Sequence, residues 1–302
     1  MKILVTGSNG LLGQKLSGVI QKQPGYQLIA TGRGKSAVGL SSGSYHELDI
    51  TEPHAVRELI TGIRPDVVIN AAAMTLVDKC ELEREACWTA NVNAVENLVN
   101  ACAIGNTHLV HVSTDFIFDG TQGPLDEDAV PNPVNYYGES KLAAEKVIMN
   151  SASDWCIART GLVYGITHDM SRSNIVLWVK ESLEKGKTIQ VVNDQWRTPT
   201  LAEDLAMGCF LAASKKAKGI FNISGRDFIS PYDIAIKTAK YFDLDTSLIK
   251  PADSTTFKQP ARRPLITGFN IDKAKRELGY NPHTFEEGLR IIAQQITESV
   301  AP

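Results

Sequence analysis

The chain is poor in the features that mark secreted, membrane or nucleic-acid-binding proteins. Its 302 residues hold only five cysteines (Cys80, Cys87, Cys102, Cys156 and Cys209), scattered and without a C-x-x-C pair. That spacing excludes a disulfide framework and a structural zinc site, and leaves reduced thiols of the core. None of the six histidines forms H-x-x-x-H or pairs with a cysteine at ligand spacing, so no metal is expected. Charge of one sign is scarce as well. Lys and Arg number 31 against 34 Asp and Glu, a net −3 with no basic block, which argues against nucleic acid as a partner. No window carries the roughly eighteen uninterrupted apolar residues of a membrane span. The opening MKILVTGSNG has too short an apolar run for a secretory segment, so the expected location is the cytoplasm.

What is present is an ordinary globular balance, 43% apolar and 22% charged, in a chain long enough for one large domain or two coupled ones. Apolar runs suited to buried strands recur at Ile3–Thr6, Gln27–Thr31, Val67–Asn70, Leu109–Ser113 and Trp155–Arg159. Helix-like stretches separate them at Leu11–Gln23, His54–Gly62, Glu83–Gly105 and Tyr137–Ser151. This alternation predicts an α/β fold, a Rossmann-type doubly wound parallel sheet covered on both faces. Past residue 162 the order loosens: a helix over Ser173–Gly186, the run TIQVV, a helix over Leu201–Ser214, the strand GIFNIS, then a mostly helical tail. The expected division is a dinucleotide-binding domain of residues 1–162 plus 187–224. Residues 163–186 plus 225–302 would form a smaller substrate lobe over the strand ends, where open α/β sheets bind ligands.

Gly7, Gly10 and Gly13 in ILVTGSNGLLGQKL follow the first strand and cross into the first helix. In that context the first glycine serves the turn, the second the approach of a pyrophosphate, and the third helix–strand packing. The loop residues Asn9, Leu11 and Leu12 belong to the same candidate cofactor site. The second strand ends in IATGRGKS, with no acid for the ribose of NAD and with Arg33 placed for the 2′-phosphate of NADP. NADPH is therefore expected, with NADH as the alternative. Asp49 and Ile50 after a third strand either bracket the adenine or, for Asp49, cap a turn. Ala71, Ala72 and Ala73 after the fourth strand leave room for a flat cofactor.

VSTDFIFDG ends the fifth strand with Ser113, Thr114 and Asp115, and NYYGESKLAAEK sets Tyr137 and Lys141 one helical turn apart. A hydride arriving at a ketone carbon leaves an oxygen that must be protonated. Thr114 can polarise that oxygen and Tyr137 can donate the proton, with Lys141 and the helix N-terminus supplying positive charge to bring a phenol of ordinary pKa about 10 into play. Tyr136 has Ser140 at the same spacing and lacks that charge.

Together these residues resemble the extended short-chain dehydrogenase/reductase superfamily, over the whole chain. Within it, GSNGLLGQ, NAAAMTLVDKCE, STDFIFDG, YYGESKLAAE, RTGLVYG, DQWRTPT and RRPLITGFNIDKAKRELGY are similar to the dTDP-4-dehydrorhamnose reductase family. The resemblance implies that the glycine loop, the small residues after strand four and the Tyr-Lys pair hold NAD(P)H, and that Thr114 and Asp115 join Tyr137 around a nucleotide sugar. It implies reduction of the C4 ketone of a dTDP-6-deoxy-4-keto-hexose. Four positions depart from the family pattern: Leu162 where tryptophan is common, Arg197 for glycine, and Ile266 with Thr267 for Asn-Ser.

Arg197 either reads a phosphate or stacks on Trp196, and Arg263, beside Arg262, either clamps a diphosphate or lies on the surface. Both are candidate substrate contacts. His111 reads as a core histidine, and Asp126–Asp128 as a solvated acidic loop. An epimerase or dehydratase of the same superfamily is the alternative enzyme, and a dinucleotide-binding regulatory subunit the alternative of another class. A homodimer is the expected assembly.

Overall fold

A computed structural model describes residues 1–37, 40, 44–168 and 174–300. Seven parallel strands form the central sheet: β1 (Lys2–Thr6), β2 (Gln27–Gly32), β3 (Tyr45–Glu47), β4 (Val67–Asn70), β5 (His108–Thr114), β6 (Trp155–Thr160) and β7 (Gly219–Asn222). Their order across the sheet is β7–β6–β5–β4–β1–β2–β3. The runs are apolar without alternation because both faces are covered. α1 (Leu11–Gln21) and α8 (Ala202–Ser214) pack over Ile3, Val5, Val67 and Ile69. α2 (Pro53–Ile63), α5 (Ala94–Gly105) and α6 (Tyr136–Met149) cover Leu4, Val68 and Leu109 on the other face. The sheet is the expected doubly wound Rossmann-type architecture, and the winding reverses between β1 and β4. The crevice beyond that reversal is where such sheets take ligands.

Two readings of the chain change. The helix expected over Glu83–Gly105 is present but carries a π-helical turn within it. α3 (Val77–Leu82) and α4 (Arg84–Trp88) lead through a π-helical turn at Thr89–Asn93 into α5. The extra residue of that turn aims Asn91 inward, where its amide bridges the backbone of Met74 and the hydroxyl of Ser140. The run Ile189–Val192, expected with the dinucleotide domain, instead pairs in parallel with Ile249–Ala252. It packs with α7 (Ile175–Glu184) and α9 (Pro231–Tyr241), because Ile189 and Val191 find their apolar partners there rather than on the sheet. The tail ends in α10 (Phe285–Val300), and it carries the strand 249–252 in addition to helices. Ser173, the expected start of α7, lies outside the described residues. No helix among the described residues is long and apolar enough to cross a membrane.

Candidate active site

The glycine loop is built by close backbone approach. Gly7 has φ +67°, and a Cβ there would lie 2.9 Å from the backbone of Ala72 at the end of β4. A Cβ on Gly13 would lie 2.2 Å from the Gly7 carbonyl, so α1 can sit against the loop only with hydrogen at that position. α1 begins after Gly10 with no side chain capping its first N–H groups. Beside them the Ser8 hydroxyl is buried and unpartnered. Unfilled donors at a helix start, in a cradle that a Cβ would block, fit a dinucleotide pyrophosphate.

The remaining candidate cofactor residues divide. Ala71 and Ala72 are half-buried against the loop and Ala73 is exposed. Leu11 is half-buried near Gly165, and Leu12 packs on the core. Asn9 holds the protein's own loop, donating to the carbonyls of Arg33 and Lys35 and accepting from the Ala37 N–H. That loop presents Arg33 exposed at the end of β2, as an NADP site would need. Asp49 accepts from the N–H and hydroxyl of Thr51 at 2.9 and 2.8 Å, which is the turn-capping role. Ile50 is buried in the core, and its carbonyl accepts from Asn97.

Thr114 at the end of β5 and Tyr137 at the start of α6 come together. Asn135 caps α6 by accepting from the Gly138 N–H, and a Cβ on Gly138 would strike the Phe116 carbonyl, which fixes how closely helix and strand end approach. Burial pushes the Tyr137 phenol well above its ordinary pKa, and the neighbouring Thr114 hydroxyl counters this, while charge on Asp115, Cys80 and Cys87 adds to it. The Lys141 amine, one turn further along α6, donates to the Val112 carbonyl of β5 at 2.8 Å beside His111. Burial lowers the Lys141 pKa to about 8.

On the substrate side, both candidate arginines are engaged within the protein. Arg197 is 3% exposed. Its guanidinium donates to the carbonyls of Trp196, Pro264 and Leu265 and to Gln195, and its Nε lies 3.5 Å from Oδ2 of Asp115. Asp115 in turn accepts from Thr114 at 3.2 Å and Thr267 at 2.5 Å, so both carboxylate oxygens are taken. Burial still raises its pKa, against the opposing Arg197 charge. Arg263 makes a two-pronged contact with Asp78 of α3, and its guanidinium is not a free diphosphate clamp. Arg262 beside it is exposed. In the acidic loop, Glu127 is not simply solvated: its carboxylate accepts from the Asn222 N–H at 2.9 Å.

Sequence reasoning missed the polar groups behind the site. Thr267, noted only as a departure, is a direct partner of Asp115. His111, read as core, contacts Lys141. The one available signal was position, since His111 lies two residues before Ser113 and so shares its face of β5.

With this geometry in view, comparisons with known proteins converge. The family described as RmlD substrate binding domain matches residues 1–298. The chain is 31% identical to a probable low-salt glycan biosynthesis reductase of Haloferax volcanii, covering 97% of each chain. It is 31% identical to the dTDP-4-keto-6-deoxy-D-glucose reductase of Streptomyces niveus over 92% of this chain and 91% of that one. It is also 29% identical to the methionine adenosyltransferase 2 subunit beta of Xenopus laevis, over 83% of this chain and 75% of that one. Among solved structures, a dTDP-4-dehydrorhamnose reductase of Clostridium acetobutylicum superposes with TM-score 0.87 at 29% identity, covering 98% and 100% of the two chains. One from Bacillus anthracis in complex with NADP does so with TM-score 0.82 at 27% identity, covering 97% and 99%.

Proposed function

The chain belongs to the RmlD substrate binding domain family, and from that premise we propose that it is an NADPH-dependent reductase of a nucleotide-linked sugar. The finer reading is reduction of the C4 ketone of a 6-deoxy-4-keto sugar, as in relatives named dTDP-4-keto-6-deoxy-D-glucose reductase and dTDP-4-dehydrorhamnose reductase. One observation carries it: a hydroxyl and a phenol, Thr114 and Tyr137, meet at the end of β5, one strand from the dinucleotide cradle against β4.

NADPH, when bound, supplies the hydride. Thr114 orients the carbonyl oxygen of the sugar, and Tyr137 transfers its phenolic proton to that oxygen as the carbon is reduced. The phenolate is then reprotonated from water. Lys141, in its ammonium form, stabilises that phenolate. Gly7, Gly10, Gly13 and the start of α1 would hold the pyrophosphate, and Arg33 the 2′-phosphate. NADP in a structure 27% identical supports that choice.

A second reading, a regulatory subunit, is favoured by the contacts of Asp115 with Thr114 and Thr267 inside the protein and by the likeness to methionine adenosyltransferase 2 subunit beta. Oxidation of NADPH measured against a panel of 4-keto nucleotide sugars, with simple ketones as controls, separates the two. The reductase consumes a nucleotide sugar, and Tyr137→Phe lowers turnover at least about a hundredfold while NADPH still binds. Consumption of none of the panel removes the reductase reading.

A further inference from the structure

A line of buried polar side chains stands behind Lys141, and the reaction as described makes no use of it. Lys141 is 2% exposed, and its Nζ lies 3.1 Å from Nε2 of His111. On the far side of the ring, Nδ1 lies 3.0 Å from the side-chain nitrogen of Asn70. The orientation of Asn70 is set independently of the ring. Its Oδ1 accepts from the backbone N–H of Ala72 at 3.2 Å and from the Thr6 hydroxyl at 2.5 Å, and a backbone N–H can only donate. The amide nitrogen must therefore face His111 and donate to it.

A ring nitrogen that accepts carries no proton. Burial and the adjacent Lys141 hold His111 neutral, well below its ordinary pKa, so its one proton sits on Nε2. That proton points at Lys141. An ammonium has three donors and no lone pair, whereas a neutral amine can accept. We propose that His111, locked by Asn70 as the Nε2–H tautomer, is a positioning residue that biases Lys141 toward its neutral amine in the ligand-free protein. It thereby sets the pH above which Lys141 cannot supply positive charge to Tyr137.

The other groups facing Lys141 push the opposite way. Glu145 on α6 favours the ammonium, though it is itself tied to the buried Arg159 at 2.7 Å, and Cys87 from α4 favours it too. Burial outweighs both, and the amine titrates near pH 8. Charging Lys141 without losing the His111 contact would move the ring proton to Nδ1, against the Asn70 amide. Asn70 would then have to turn away from Ala72, the residue that backs Gly7 in the dinucleotide cradle. Protonation of the lysine and the shape of the cofactor wall are coupled through three side chains and one backbone N–H.

The consequence for turnover rests on the reductase reading, but the tautomer does not. Nitrogen-15 NMR of histidine-labelled, ligand-free full chain at pH 9, with His111 assigned by its loss in His111→Gln, is expected to find Nδ1 unprotonated and Nε2 protonated. A proton on Nδ1 would overturn the proposal. The second measurement is NADPH affinity against pH, followed by nucleotide fluorescence. In the wild type it is expected to weaken as pH rises past about 8, where the ammonium is lost. His111→Gln offers the amine a carbonyl oxygen as acceptor, and should move that limb up by a pH unit or more, a tenfold change in proton affinity. An unmoved limb sinks the proposal. Should no keto sugar be reduced, both measurements still decide it.

Discussion

The cofactor side and the substrate side of the crevice differ in how far they satisfy themselves. Around the glycine loop the protein leaves gaps: uncapped N–H groups at the start of α1 and an unpartnered Ser8 hydroxyl. Across the crevice, the charged groups already have partners: Asp115 is engaged by Thr114, Thr267 and Arg197, and Arg263 is held by Asp78. A site that awaits a charged ligand advertises unfilled donors, whereas a site that has closed its ion pairs internally selects by shape. Arg197 and Arg263 tie distant parts of the chain together.

The contrast is broken most forcefully at Arg197. Arg197→Met leaves a buried carboxylate without its countercharge, and should cost on the order of 3–5 kcal/mol in urea unfolding. Adding Asp115→Asn should restore part of that loss, because the second charge is gone. Equal losses in the single and double variants would mean that Arg197 is worth only its packing. Next in size is the cradle. Gly13→Ala forces a methyl to 2.2 Å from the Gly7 carbonyl, so it should cost roughly 1–3 kcal/mol and weaken NADPH binding together. Gly18→Ala in the same helix meets nothing within 4 Å, and should stabilise by about 0.5–1 kcal/mol without touching affinity. The smallest effect belongs to the partly exposed pair. Arg263→Ala should cost about 1 kcal/mol or less and leave KM for a nucleotide sugar within a few-fold. A KM raised more than tenfold would return Arg263 to the role of diphosphate clamp.

Legibility followed the range of the interactions. β1, β2, β4, β5 and β6 were readable from apolar runs, β3 and β7 were placed more coarsely, and the glycine loop was readable from its place between strand and helix. Both are signals carried within a few residues. The π turn at Thr89–Asn93 was not readable, since the partners of Asn91 there, Met74 and Ser140, are remote in sequence. Nor was the partner of Ile189–Val192, because a short apolar strand does not say which neighbour it will pair with.

By itself the sequence determined the α/β winding, the turn before α1 and the Tyr137–Lys141 spacing, because backbone conformation and helical period are local properties of the residues that adopt them. Only the tertiary structure decided that Arg263 would meet Asp78 across 185 residues, that Arg197 would bury itself against Asp115, and that Lys141 would turn to His111. Those choices depend on which charges and donors are brought into one desolvated space. There, an unpaired group costs more than in water, and each side chain takes the partner the fold delivers.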